Sequence, residues 1–203
     1  MQGELFSSDP RVSGPEGWAS QPGFLSPSEE GELLAWIEKL PLSPMRYKEY
    51  VARRRGISFG GHLDFDANRL MPSPAIPREP MPLLHKAAAW LGQPPESFIH
   101  VLIAEYRPGA PLGWHRDVPD FEDVVGVSLA GEGELELRRY RRARFVAIRW
   151  AVVSRHYRAK VHLLHHGNGE MGWQHAVVAS RALRYSITMR TPRQRPSGAT
   201  PRA

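Results

Sequence analysis

Cysteine is absent from the 203-residue chain. That excludes disulfides, thiolate nucleophiles and cysteine-ligated zinc or iron–sulfur centres, so any metal must be held by nitrogen and oxygen donors. No apolar run approaches the roughly 18 residues that a membrane-spanning helix needs. The first residues, MQGELFSSDPR, lack a charged-then-apolar leader, so the expected location is cytoplasmic with no membrane partner. Acidic residues are in the minority: 21 Asp and Glu stand against 27 Lys and Arg, a formal charge of +6. Such a balance favours an anionic partner, nucleic acid being the commonest. Hydrophobic residues nevertheless make up 41% of the chain, which excludes a disordered protein.

Residues 1–22 are rich in Gly, Ser and Pro without an apolar period and are expected to be a flexible lead-in. The basic stretch RQRPSGATPRA at 193–203 is expected to be a disordered tail. One domain is expected between them, over 23–192, with no internal repeat. Ser26, Pro27, Glu29 and Glu30 read as a helix start, followed by the apolar stripe Leu33, Leu34, Trp36, Ile37 and Leu40. A second helix is expected over 81–91, closed by Gly92 and the Pro94–Pro95 pair. From Phe98 onward the pattern turns β-like: FIHVLIAEY, DVVGVSL, ELELRRY, RFVAIRWAVV and LRYSITM are each bounded by turn residues or charge. Helices followed by many short strands predict a mainly β, α+β fold, a jelly roll with flanking helices on the N-terminal side.

The chemistry centres on PLGWHRDVPD, residues 111–120. On a strand, His115 and Asp117 share a face, as two ligands of one metal must. A second such triplet, His62-Leu63-Asp64, shows that the pattern has no force by itself. Nonheme Fe(II) oxygenases use two His and one carboxylate and leave other positions open. The missing His must then come from a later strand, and His175 stands out because Arg184 and Arg190 follow it in an apolar β-run. A guanidinium offers a planar fork that fits a carboxylate with two parallel hydrogen bonds, which a 2-oxoglutarate enzyme requires. The two arginines lie six residues apart on one face, roughly 20 Å between Cα atoms, so they cannot grip the same end of a small diacid, and Arg184 is the stronger candidate.

In this order, EYRPGAPLGWHRD, DVVGVSL and a late His followed by RALRYSITMRT resemble the AlkB-type family of Fe(II)- and 2-oxoglutarate-dependent dioxygenases. The resemblance reaches upstream through GFLSPSEEGELL and the ISFG and DFD segments, covering about residues 21–192. It implies a double-stranded β-helix with His115, Asp117 and His175 as iron ligands. It also implies that Arg184, helped by Tyr106 and Ser186, binds 2-oxoglutarate, with Arg190 nearer the metal. The implied reaction consumes O2 and 2-oxoglutarate, releases succinate and carbon dioxide, and hydroxylates an N-alkyl carbon whose hemiaminal collapses to an aldehyde and a repaired base. Alkylated, single-stranded nucleic acid acted on by a monomer is the expected partner.

The chain departs from the family at Ala104 and Ser186, where some members carry Asn, and over 150–172, which lacks the usual turn and Tyr-x-Leu strand. An altered core strand is expected there. Candidate substrate contacts are Phe59, Asp120, Arg141 and Arg142, the last two within an arginine run that otherwise reads as a solvated hairpin tip. A buried core Phe is the alternative for Phe59. Trp114 is expected to point away from His115, into the core. His62 and Asp64 are expected in a loop near the substrate mouth, and His162, His165 and His166 in a solvated loop. Two other readings stay open: an oxygenase of a protein or small-molecule substrate, and a catalytically impaired jelly roll that binds nucleic acid.

Overall fold

The computed structural model describes residues 12–13, 18–47, 50–64, 69–117, 120–131, 133–139, 150–152, 160–165 and 173–193. Two short strands come first, β1 (Val12–Ser13) and β2 (Trp18–Gln21), then helix α1 (Pro27–Ile37). The Ser26 hydroxyl accepts from the Glu29 amide while the Glu29 carboxylate accepts from the Ser26 amide. This reciprocal cap satisfies two amides that the first helical turn leaves open. Strands β3 (Ser43–Tyr47) and β4 (Tyr50–Phe59) form a hairpin, and β5 (His62–Asp64) and β6 (Arg69–Met71) form a second, small one. Helix α2 (Met81–Leu91) ends at Gly92, whose φ of +70° is the left-handed cap that glycine adopts without a Cβ penalty.

The remaining strands are β7 (His100–Tyr106), β8 (Leu112–His115), β9 (Phe121–Leu129), β10 (Leu135–Arg139), β11 (Trp150–Val152), β12 (Lys160–His165), β13 (Trp173–Val177) and β14 (Arg184–Pro192). They divide between an eight-stranded sheet, β1-β2-β12-β9-β14-β7-β4-β3, and a four-stranded sheet, β11-β10-β13-β8. From β7 onward the chain passes back and forth between the two, and the described pairings are antiparallel. This alternation is the winding of a jelly roll, the fold class expected from the sequence.

Alternation along each strand gives the large sheet two unlike faces. Val101 and Ile103 of β7, Val125, Val127 and Leu129 of β9, and Tyr185, Ile187 and Met189 of β14 share one buried cluster with Leu33, Ile37, Leu83, Leu84, Ala87 and Ala88 of the helices. The inner face meets the small sheet across a second cluster of Trp18, Phe121, Val124 and Leu137.

Residues 18–21, expected in the flexible lead-in, form β2 on the sheet, paired with β12 and with Trp18 buried against Phe121, Val124 and Leu137. The 43–59 segment, in which no strand was expected, is a hairpin on the large sheet. Its β4 strand carries VARRRGIS, where charge hides the apolar period. Residues 160–165, expected as a solvated loop around His162 and His165, are strand β12 between β2 and β9. The 150–172 segment therefore supplies a strand to each sheet despite its unusual composition. His62 and Asp64 lie in β5 instead of a loop. No helix among the described residues is long and apolar enough to cross a membrane.

Candidate active site

Because the helix side of β14 takes Tyr185, Ile187 and Met189, the residues between them face the small sheet. Arg184, Ser186, Thr188 and Arg190 therefore form one inward row. Across it, β7 places Tyr106 opposite Arg184, Ala104 opposite Ser186, Leu102 opposite Thr188 and His100 opposite Arg190. On the other side β9 places Ser128 opposite Ser186. A polar row is thus enclosed between two sheets, with an arginine at each end.

At one end Arg184 is buried, its guanidinium carbon 4.1 Å from the centre of the Tyr106 ring. Its Nη1 donates to the Ser128 hydroxyl at 3.1 Å, and its buried Nε has no hydrogen-bond partner among the described residues. Burial lowers the guanidinium pKa from its usual range, opposed by Tyr106. No carboxylate among the described residues pairs with it. A Cβ on Gly133 would lie 3.0 Å from both Cδ and Nε of Arg184, so the glycine leaves the room this side chain occupies.

At the other end Arg190 grips Asp117, with Nη2 and Nε at 2.6 and 2.8 Å from Oδ1. Arg190 also lies over the Phe121 ring, and its Nη1 donates to His100 Nδ1 at 3.0 Å. A guanidinium has no acceptor, so that bond places the proton of a neutral His100 on Nε2. The Asp117 Oδ2 faces His175 Nε2 at 3.7 Å. Strand pairing sets His175 opposite His115, and the two rings are 4.0 Å apart between centres. His115 Nδ1 lies 2.8 Å from the Gly113 carbonyl; a carbonyl only accepts, so Nδ1 carries the proton and Nε2 is the bare nitrogen. Burial lowers the His115 pKa, aided by Arg54 and Arg190 and opposed by Asp117 and the Gly113 bond.

The fold thus gathers His115, Asp117, His175 and Arg190 at one end, and Tyr106, Ser186 and Arg184 toward the other. As the side chains stand, no three His, Asp or Glu residues among those described are disposed to hold a metal ion. Two donors on one ion at right angles are about 3 Å apart, so the 3.7 Å gap between Asp117 and His175 is somewhat too wide.

Phe59 is not brought to this row. It is buried on the helix side, 6.2 Å from the Trp36 ring, so the core alternative holds. Asp120 is exposed in the turn before β9, where its carbonyl accepts from the Arg193 amide. Arg141 and Arg142 lie outside the described residues. Trp114 does point away from His115, as expected, but it is exposed instead of buried, because that face of the small sheet is an outer surface. Sequence reasoning missed His100, Ser128 and Arg54. The first two were legible as polar residues at inward positions of apolar strands, whereas Arg54 sits in a strand that charge concealed.

No family model and no curated protein matches the chain, but solved structures do. It is similar to a Pseudomonas putida prolyl-4-hydroxylase, with a TM-score of 0.59 at 18% identity over 87% of this chain and 93% of that one. A 2OG-Fe(II) oxygenase family oxidoreductase from Burkholderia pseudomallei gives 0.55 at 18% identity over 88% and 86%. A Trichoplax adhaerens prolyl hydroxylase, solved with a hypoxia inducible factor oxygen degradation domain peptide fragment, gives 0.56 at 16% over 88% and 84%. These likenesses show the fold.

Proposed function

We propose that the chain is an Fe(II)- and 2-oxoglutarate-dependent dioxygenase that oxidatively dealkylates N-alkylated bases in DNA or RNA. One observation carries the cosubstrate: Arg184 is a buried cation with no carboxylate partner among the described residues. Burying a charge without a counter-charge is costly, and a bound dicarboxylate would relieve that cost. The Tyr106 ring and the Ser128 hydroxyl hold the fork in place for the distal carboxylate, and Ser186 lies one inward position further along the row.

His115, His175 and Asp117 supply the donor set of two imidazoles and one carboxylate that suits Fe(II). Holding an ion would require the facing rings of His115 and His175 to turn until their nitrogens converge. Arg190 occupies Asp117 Oδ1 and leaves Oδ2 toward His175, while the Gly113 carbonyl fixes the His115 tautomer that leaves Nε2 bare. Bound iron would supply oxygen activation coupled to decarboxylation of the cosubstrate. The protein supplies orientation and a water-poor space between two sheets.

The substrate class rests on the AlkB-like motif series and on the +6 charge. A second reading has one specific support, the prolyl hydroxylases among the similar structures, and makes the substrate a peptide prolyl residue. The test is anaerobic loading with Fe(II), then measurement of succinate and formaldehyde on addition of oxygen with methylated oligonucleotides, unmethylated ones, or proline-containing peptides. Formaldehyde from methylated strands alone, abolished in His115→Ala, is expected. Turnover raised only by peptides would replace the substrate class, and no 2-oxoglutarate turnover under any condition would overturn the enzyme reading.

A further inference from the structure

The inward face of the small sheet carries His175 opposite Leu137 and His115 opposite His175. Their neighbours along the strands, Trp114, Gln174 and Arg138, therefore face outward. On that outer surface Trp114 is 37% exposed, and the Arg138 guanidinium carbon lies over its ring at 4.4 Å from the centre. The Nε of Arg138 donates to Gln174 Oε1 at 2.7 Å, which fixes the direction of the side chain. The central strand has Ala176 as the next outward residue, opposite Glu136. A small side chain at that position leaves room for Arg138 and Trp114 to meet across it. Arg116, also exposed, follows directly on the Trp114 strand.

We propose that this ledge is a stacking platform for single-stranded nucleic acid, holding a base next to the nucleotide that enters the site. The proposal rests on the nucleic-acid reading of the substrate. The combination of chemistries selects the occupant. Every nucleobase has a flat π-face that stacks on an aromatic or guanidinium plane whatever its sequence, and every linkage carries a phosphate for the neighbouring arginines. Arg116 lies beside the ledge as a second exposed cation, and the whole chain is net cationic. Glu136 is the acidic residue facing outward on the same strand, two positions from Arg138, and it sets the side of the ledge that a phosphate avoids. Trp114 precedes His115, so a base held here lies one sheet thickness from the histidine pair. Among the described strands β8 ends the order of the small sheet, and a nucleic-acid strand reaching both passes around that edge.

The experiment is fluorescence anisotropy of a labelled single-stranded oligonucleotide against the full chain, comparing wild type with Trp114→Ala, Trp114→Phe and Arg138→Gln. Melting temperature with and without 2-oxoglutarate is measured in parallel. Binding about ten- to a hundredfold weaker in Trp114→Ala is expected. Trp114→Phe should recover most of the affinity, and Arg138→Gln should reduce the salt dependence. The rise in melting temperature on adding 2-oxoglutarate should be the same in all variants, which reports an intact interior. Wild-type binding that Trp114→Ala and Arg138→Gln leave unchanged would overturn the platform while leaving the substrate class standing. Polyglutamate bound as tightly as the oligonucleotide, and lost in the same variants, would overturn it in favour of an acidic protein partner. No oligonucleotide binding by the wild type would remove the nucleic-acid reading and the platform with it.

Discussion

Arg184 and Arg190 share a strand face, a residue type and burial, yet differ in what holds them. Arg190 has the Asp117 carboxylate, whereas Arg184 has a hydroxyl and an aromatic ring. An unpaired buried charge destabilises the folded state, and an apolar side chain of similar length removes that cost. Arg184→Met is therefore expected to melt no lower than wild type without ligand and, under the proposed function, to lose the stabilisation that 2-oxoglutarate confers. At one hundred times its dissociation constant a ligand adds about 2.7 kcal/mol, so differential scanning fluorimetry resolves the loss. Gly133→Ala acts more gently. Its methyl group would press on Arg184 at 3.0 Å, and the half-saturating 2-oxoglutarate concentration should rise about tenfold in a steady-state assay, since carboxylate forks tolerate little displacement. At this scale much was legible in the sequence. The spacing of Arg184 and Arg190 on one strand placed them at opposite ends before any fold was known. Trp114 was half legible: period two gave its direction, but only the sheet order shows that the direction leads to solvent.

Among the elements, β4 gave the least warning. It carries three consecutive arginines, Arg53 to Arg55, and yet Arg55 forks onto Glu105 of β7 at 2.9 and 2.6 Å while Ile57 and Phe59 extend the helix-side core. Pairing with β7 supplies what local propensity lacked, which is how tertiary context overrides a sequence pattern. The strand ends at Gly60, with φ +77°, where an added Cβ would lie 2.2 Å from the Ile99 carbonyl oxygen. Gly60→Ala combines a left-handed backbone with a clash against main chain that cannot rotate away. A loss of more than about 2 kcal/mol is expected in denaturant unfolding. The helices, by contrast, announced themselves, α1 through its Ser26 cap and α2 through Gly92 and the prolines that close it. The 150–172 segment did not. Its two strands are defined by partners β10, β2 and β9 more than by their own residues.

For the whole molecule, the relation between α1 and α2 sets an acid limit. Lys86 of α2 holds Glu29 of α1 at 2.8 and 2.9 Å, which lowers the Glu29 pKa from 4.5 to about 2, with the Ser26 amide contributing. Glu105 is lowered in the same sense by Arg55, despite burial, with help from Arg107. A carboxylate depressed in the folded state stabilises it fully above its unfolded pKa, and that stabilisation drains away as pH falls toward the folded value. Melting temperature should therefore hold level at neutral pH and fall from about 4.5 toward about 2. Lys86→Gln should cost about 0.5 kcal/mol at pH 7, the scale of a solvent-exposed pair, and the difference from wild type should vanish near pH 2. Circular dichroism melts across that range check both the sign and the window.

The strand at the centre of the large sheet, β14, is the last described strand along the chain. During synthesis the ribosome delivers β7 and β9 first, and each waits with one edge unsatisfied until residues 184–192 emerge between them. The nascent protein thus passes through a period in which both its apolar layer and its polar row lack their middle member, and exposed strand edges of that kind invite association with other chains. Closure and competence arrive in one event, since the insertion that completes the hydrogen-bonding ladder also carries in Arg184 and Arg190. A message truncated before that point yields an open sheet prone to aggregate.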